Sequence, residues 1–83
     1  MKVSLYAVYD CVAEEYGPPW TAINDRVAGR QTRAILSTMP SRSDYLLHKL
    51  GSYDTQTGQV KSHDSIVVPY VDEEVADVEN AKR

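Results

Sequence analysis

Phenylalanine is absent from this 83-residue chain, and cysteine occurs once, as Cys11. A lone cysteine excludes an internal disulfide framework and cannot build a thiolate metal site by itself, which fits a reducing compartment. No apolar run approaches the ~20 residues that span a bilayer, and the N-terminus lacks the layout of a signal peptide. The expected setting is therefore a cytoplasm, with no membrane partner. The four glycines, Gly17, Gly29, Gly51 and Gly58, are too scattered to form a phosphate-cradling loop. His48 and His63 have no ligand-type neighbours at metal-binding spacing. Without paired carboxylates at a strand end or turn, general acid–base chemistry has no candidates. Cys11 reads as a structural thiol, because no base lies near it in sequence. The sequence points away from an enzyme and calls for no cofactor and no metal.

Six tyrosines and one tryptophan take the place of phenylalanine, within an apolar fraction of 42% that is ordinary for a globular domain. Each has an apolar body and a polar tip, suited to half-wet surfaces. A chain this short buries only about 60–65% of its unfolded surface, so its stability margin is narrow. The net charge of −3 is unevenly spread. Residues 1–63 carry seven Lys/Arg and six Asp/Glu, whereas residues 64–83 carry two and six. A protein that coats DNA indiscriminately would be far more basic.

The organising stretch runs from Asn24 to Met39. Asn24 or Asp25 suits an N-cap, and Pro40 disfavours helix at Met39, so the spacing predicts a helix over 25–39. On it, Val27, Ala28, Ala34, Ile35, Leu36 and Met39 share one arc, while Arg26, Arg30 and Arg33 share the opposite face. Three guanidinium groups on one face form a compact surface for an anionic ligand, which Arg42 and Lys49 would extend. The competing reading is a solvated helix face.

The rest reads as strands and turns. Residues 1–10 alternate, with Val3, Leu5, Ala7 and Tyr9 on one face and Tyr6 and Val8 on the other. Residues 11–19 turn through Gly17-Pro18-Pro19, and Trp20-Thr21-Ala22-Ile23 suits a short returning strand, with Trp20 as a core or rim anchor. Residues 45–53 and 59–62 read as a hairpin around 54–58, with a β-bulge expected between Leu47 and Leu50 because strict alternation fails there. Residues 66–70 suit an edge strand or a docking segment. Beyond them, Val71, Val75 and Val78 recur among acidic residues, in a segment too short and too valine-rich to hold a helix alone.

Two stretches resemble a known family. The first is Met1-Lys2-Val3-Ser4-Leu5-Tyr6-Ala7-Val8-Tyr9-Asp10, followed after Gly17-Pro18 by Ala22-Ile23-Asn24-Asp25 and Ala28-Gly29-Arg30. The second is Asp44-Tyr45-Leu46-Leu47 running into Leu50-Gly51-Ser52-Tyr53-Asp54 and Gly58. In order, spacing and overall length these resemble the small non-structural protein of the gokushoviruses, single-stranded DNA phages of the microvirus group. The resemblance covers roughly residues 1–60. It implies a DNA-binding protein of viral genome replication in the host cytoplasm, acting in the switch to single-stranded DNA synthesis, and it brings no catalytic residues.

The expected fold is α+β: a small antiparallel sheet with one packed helix in a ββαββ layout. One domain would span 1–63, followed by an acidic tail over 64–83 that is flexible or docks on a partner. Val27, Ile35, Leu36 and Met39 should pack on the face bearing Leu5, Ala7 and Tyr9, leaving the Tyr6 and Val8 face to a second copy in a homodimer. The expected function is binding of single-stranded DNA through Arg26, Arg30, Arg33, Arg42 and Lys49. The alternatives are an adaptor engaging the viral initiator or a host replication protein, and a host-modulating factor.

Overall fold

The computed structural model describes residues 1–70. Alternation holds through the first strand, β1 (Lys2–Asp10), which forms the long spine of an antiparallel sheet. The returning chain cannot pair with it continuously, because Gly17-Pro18-Pro19 interrupts it and proline lacks the ladder donor. Two short strands result, β2 (Glu15–Tyr16) and β3 (Trp20–Ala22), both on the same edge of β1. A helix, α1 (Asp25–Leu36), and a 3-10 turn (Arg42–Asp44) lead to β4 (Tyr45–Asp54), which pairs along the other side of β1. The edge is β5 (Val60–Val68), giving the order β2-β1-β4-β5.

This corrects the expected α+β class. Strand makes up 47% of the structure, and the curled sheet closes half a barrel, so the protein is mostly β with one helix, and the expected ββαββ layout does not match the strand order. The curl follows from the bulge expected near Leu50: the β1–β4 register shifts where Leu5 faces Gly51 and Tyr6 faces Lys49, and the β4–β5 register shifts between Lys49 and Gly51. Extra residues on one strand raise the local twist. Gly51 sits where β5 comes closest, since a Cβ there would meet the Lys61 carbonyl oxygen and lie 3.0 Å from Ser62 Cα. β5 runs well past residue 63, so the first part of the acidic segment, through Val68, belongs to the sheet. The recurring Val71, Val75 and Val78 lie outside the described residues.

The helix starts as expected, with Asn24 Oδ1 accepting from the Val27 amide at 2.9 Å. It ends at Leu36, three residues before Met39, in a turn where Met39 N–H donates to the Leu36 carbonyl. Its buried stripe is also displaced: Ala28, Gly29, Thr32 and Leu36 face the sheet, whereas Ile35 is 49% exposed and Ala34 is exposed. The polar Thr32 enters this stripe because its hydroxyl donates back to the Ala28 carbonyl at 2.8 Å, needing nothing from the sheet. With 28, 32 and 36 inward, Ile35 is turned aside.

The sheet face is reversed as well. Tyr6, not Leu5 or Tyr9, lies under the helix, in a core with Ala22, Ala28, Leu47 and Val68. Trp20, Val27 and Tyr70 pack against it. Tyr6 can be fully buried there because its hydroxyl finds a carboxylate on the helix. Leu5, Ala7 and Tyr9 face the other way, so the helix covers the face of Tyr6 and Val8 that was expected to remain open.

Three substitutions test this packing. Leu36→Ala should cost about 2–4 kcal/mol, while Ile35→Ala should cost less than about 1 kcal/mol because half of its surface is already in water. Gly51→Ala should cost about 1–3 kcal/mol through collision with the β5 backbone. Urea unfolding followed by Trp20 fluorescence measures all three, and equal losses at 35 and 36 would contradict the helix orientation.

Candidate nucleic-acid interface

Because α1 turns its small residues to the sheet, its long cationic ones point outward. Arg26 and Arg30 are exposed and Arg33 is half-buried in the last turn, where a cation also suits the carbonyl end of the helix dipole. Spaced i, i+4 and i+7, the three form one stripe along a helix of about 18 Å. Tyr70 packs against the buried Gly29 of the same helix: a Cβ on Gly29 would be 3.2 Å from Tyr70 Cβ. Tyr70 also donates to the Tyr45 carbonyl at 3.3 Å, holding the end of the described chain beside the helix.

The other two expected site residues do not simply lengthen the stripe. Arg42 is exposed in the 3-10 turn beyond the C-terminal end of the helix. Lys49, on β4 opposite Tyr6, places its ammonium 3.2 Å from Asp25 Oδ1 at the other end. Its charge is engaged by that carboxylate, so Lys49 serves the joint between helix and sheet.

That joint was not legible in the sequence. Tyr6 Oη donates to Asp25 Oδ1 at 2.6 Å, so one carboxylate in the first helical turn ties together β1, β4 and α1. The Asp25 carboxyl is held below its usual range chiefly by the Tyr6 hydrogen bond, with Lys49 adding to the effect. Burial, reinforced by the bond to Asp25, pushes the Tyr6 phenol up to about 12. The available signal was a large amphipathic ring on the strand face opposite Val3, Leu5, Ala7 and Tyr9.

On the opposite face, Tyr16 reaches from β2 across the small, fully buried Ala7 towards β5. Its ring stands edge-on to His48 and its hydroxyl donates to Ser65 Oγ at 3.2 Å. Tyr9 stacks on the same imidazole at 5.3 Å. His48 is thus 8% exposed, its Nδ1 3.0 Å from Tyr16 Oη and its Nε2 buried with no hydrogen-bond partner among the described residues. His63 Nδ1 meets the Asp64 backbone carbonyl rather than a carboxylate. Among the described residues, no group of three or more His, Cys, Asp or Glu is placed to hold a metal ion, and no helix is long and apolar enough to cross a membrane.

A family model described as "Phage ORF5 protein" matches residues 3–77, nearly the whole chain. The chain belongs to this family. Membership makes it a phage protein and covers every element described above, together with the first seven residues after Tyr70. No curated protein and no solved structure matches it.

The Tyr6–Asp25 pair sets a pH dependence at both ends of the scale. Asp25 is depressed in the fold, so its contribution is present above the ordinary aspartate pKa and is lost as pH falls through the folded value. Tyr6 is raised, so its contribution is present below pH 10 and is lost as pH climbs through about 12. Chemical denaturation at a series of pH values should show stability falling from pH 10 to 12 in the native chain. Tyr6→Phe should flatten that alkaline fall while lowering stability at neutral pH. An unchanged alkaline slope would mean that the Tyr6 pKa is the same in the folded and unfolded chain.

Proposed function

We propose that this phage protein binds single-stranded DNA through the arginine stripe of α1 and assists viral genome replication in the host cytoplasm, at the switch to single-stranded DNA synthesis. The observation that supports it is the stripe of exposed Arg26 and Arg30 and half-buried Arg33 on a helix that turns Ala28, Gly29, Thr32 and Leu36 to the sheet. Guanidinium groups fork onto phosphates and stack on bases, and neither contact requires a particular base sequence. The family match supports the phage setting, and the resemblance to gokushovirus non-structural proteins supports the replication role. Arg42 belongs to the proposed surface as an outlying contact beyond the helix end, whereas Lys49 contributes to holding the helix.

The proposal includes an intramolecular competitor. The chain brings Tyr70 against Gly29 of the helix immediately before a sequence containing Asp72, Glu73, Glu74, Asp77 and Glu79. Carboxylates so close in sequence would compete with phosphates for the same cations.

Titration with labelled single-stranded oligonucleotide at two salt concentrations tests the reading. The Arg26→Glu/Arg30→Glu variant, both positions being exposed, should stay folded, bind at least tenfold more weakly and lose about 0.7 units of salt slope per phosphate contact removed. Removal of residues 72–79 should tighten binding. A folded double variant that binds as the parent does would reduce the arginines to a solvated face.

A further inference from the structure

The aside position of Ile35 creates a feature that the arginine stripe does not use. Beside the C-terminal end of α1 lies an apolar groove of about 500 Å³. Its walls are Val8 from β1, Trp20 from β3, Ile35 and Leu36 from the helix, Met39 just beyond it, and Tyr45 from β4. The volume falls within the range of sites that take a few large side chains or a small ligand. The exposure of Ile35 is otherwise wasteful, since it is the one large residue of the helix's apolar arc that stays half in water.

Among the described residues, the charged side chains lining the groove are the carboxylates Asp10 and Glu15, with no lysine or arginine. Asp10 is fixed there: its Oδ1 accepts from the Val12 and Ala13 amides at 3.0 and 3.1 Å, which shapes the turn and keeps a carboxylate at the groove mouth. Glu15 is exposed beside it. Trp20 is held from behind, with its indole N–H donating to Gln31 Oε1 at 2.8 Å. An apolar floor with a carboxylate rim repels phosphates, so nucleic acid does not suit this surface. It suits a large apolar side chain carried next to a cation.

We propose that this groove is a protein-docking site, and that its occupant is a segment of another protein presenting a leucine-type side chain beside lysine or arginine. The apolar side chain fills the space between Ile35, Met39 and Trp20, as an anchor residue does in a helix-in-groove complex. The neighbouring cation lies over Asp10 and Glu15, where it sets orientation and encounter rate more than affinity. The site is separate from the arginine stripe and stands whether or not that stripe binds DNA.

Trp20 is the only tryptophan in the chain and lines the groove, so its fluorescence reports occupancy of the full-length protein directly. The probes are two amidated peptides with the same leucine stripe, one carrying lysine at its remaining positions and the other glutamate. The lysine peptide should shift Trp20 emission saturably, with an affinity at least tenfold above that of the glutamate peptide. Ile35→Lys and Glu15→Lys change exposed residues, so both variants should fold as the parent does by urea unfolding. Each should weaken the lysine peptide at least fivefold while leaving oligonucleotide binding as it was. Equal response to the two peptides, no response to either, or unchanged lysine-peptide binding in both folded variants would overturn the proposal.

Discussion

A single carboxylate in the first helical turn holds the architecture together. Asp25 receives the Tyr6 hydroxyl from β1 and the Lys49 ammonium from β4, and its place at the helix N-terminus adds the favourable end of the backbone dipole. The burial of Tyr6 depends on this, because a phenol removed from water without a partner is costly. Once Tyr6 is fixed beneath the helix, the remaining geometry follows. Its strand face becomes the helix side, Trp20 packs at its edge with ring centres 6.2 Å apart, and Ala28, Gly29 and Thr32 let the helix approach closely.

The face away from the helix has its own brace. Tyr16 spans from one edge of the sheet towards the other, and this is feasible because Ala7 beneath it is small and because the sheet curls. Aromatic contacts with Tyr9 and His48 fill the space where a second helix would otherwise be required. A domain with a modest core therefore covers both faces of its sheet, one with a helix and the other with a tyrosine and its stacked neighbours. The same arrangement leaves a buried imidazole nitrogen without a partner, at the centre of that cluster.

These two devices separate the surfaces of the molecule by chemistry. The helix carries its cations outward along one flank and ends early, so its apolar arc overhangs an acid-rimmed groove on the other side. Phosphate and cation-bearing ligands would thus be directed to different places on one small domain. A net charge of −3 is compatible with a nucleic-acid contact in this light, because local charge and not the total decides where an anion binds.

Local signals determined much of what was legible. Alternation placed β1, the cap at Asn24 placed the helix start, and the phase break between Leu47 and Leu50 located the bulge, since each depends on residues close in sequence. The resemblance in residues 1–60 agrees with a phage family whose match runs to residue 77. What sequence left open was which faces meet. An apolar arc of 27, 28, 34, 35, 36 and 39 says that a helix packs, but a threonine that satisfies its own hydroxyl and a tyrosine that finds a distant carboxylate rotated the contact onto 28, 32 and 36. Likewise the Gly17-Pro18-Pro19 break marked a turn without revealing that it would split one returning strand into two on the same edge. The Tyr6–Asp25 contact joins residues 19 apart, and the packing face was decided only when the tertiary structure brought together polar groups that water would otherwise have had to satisfy.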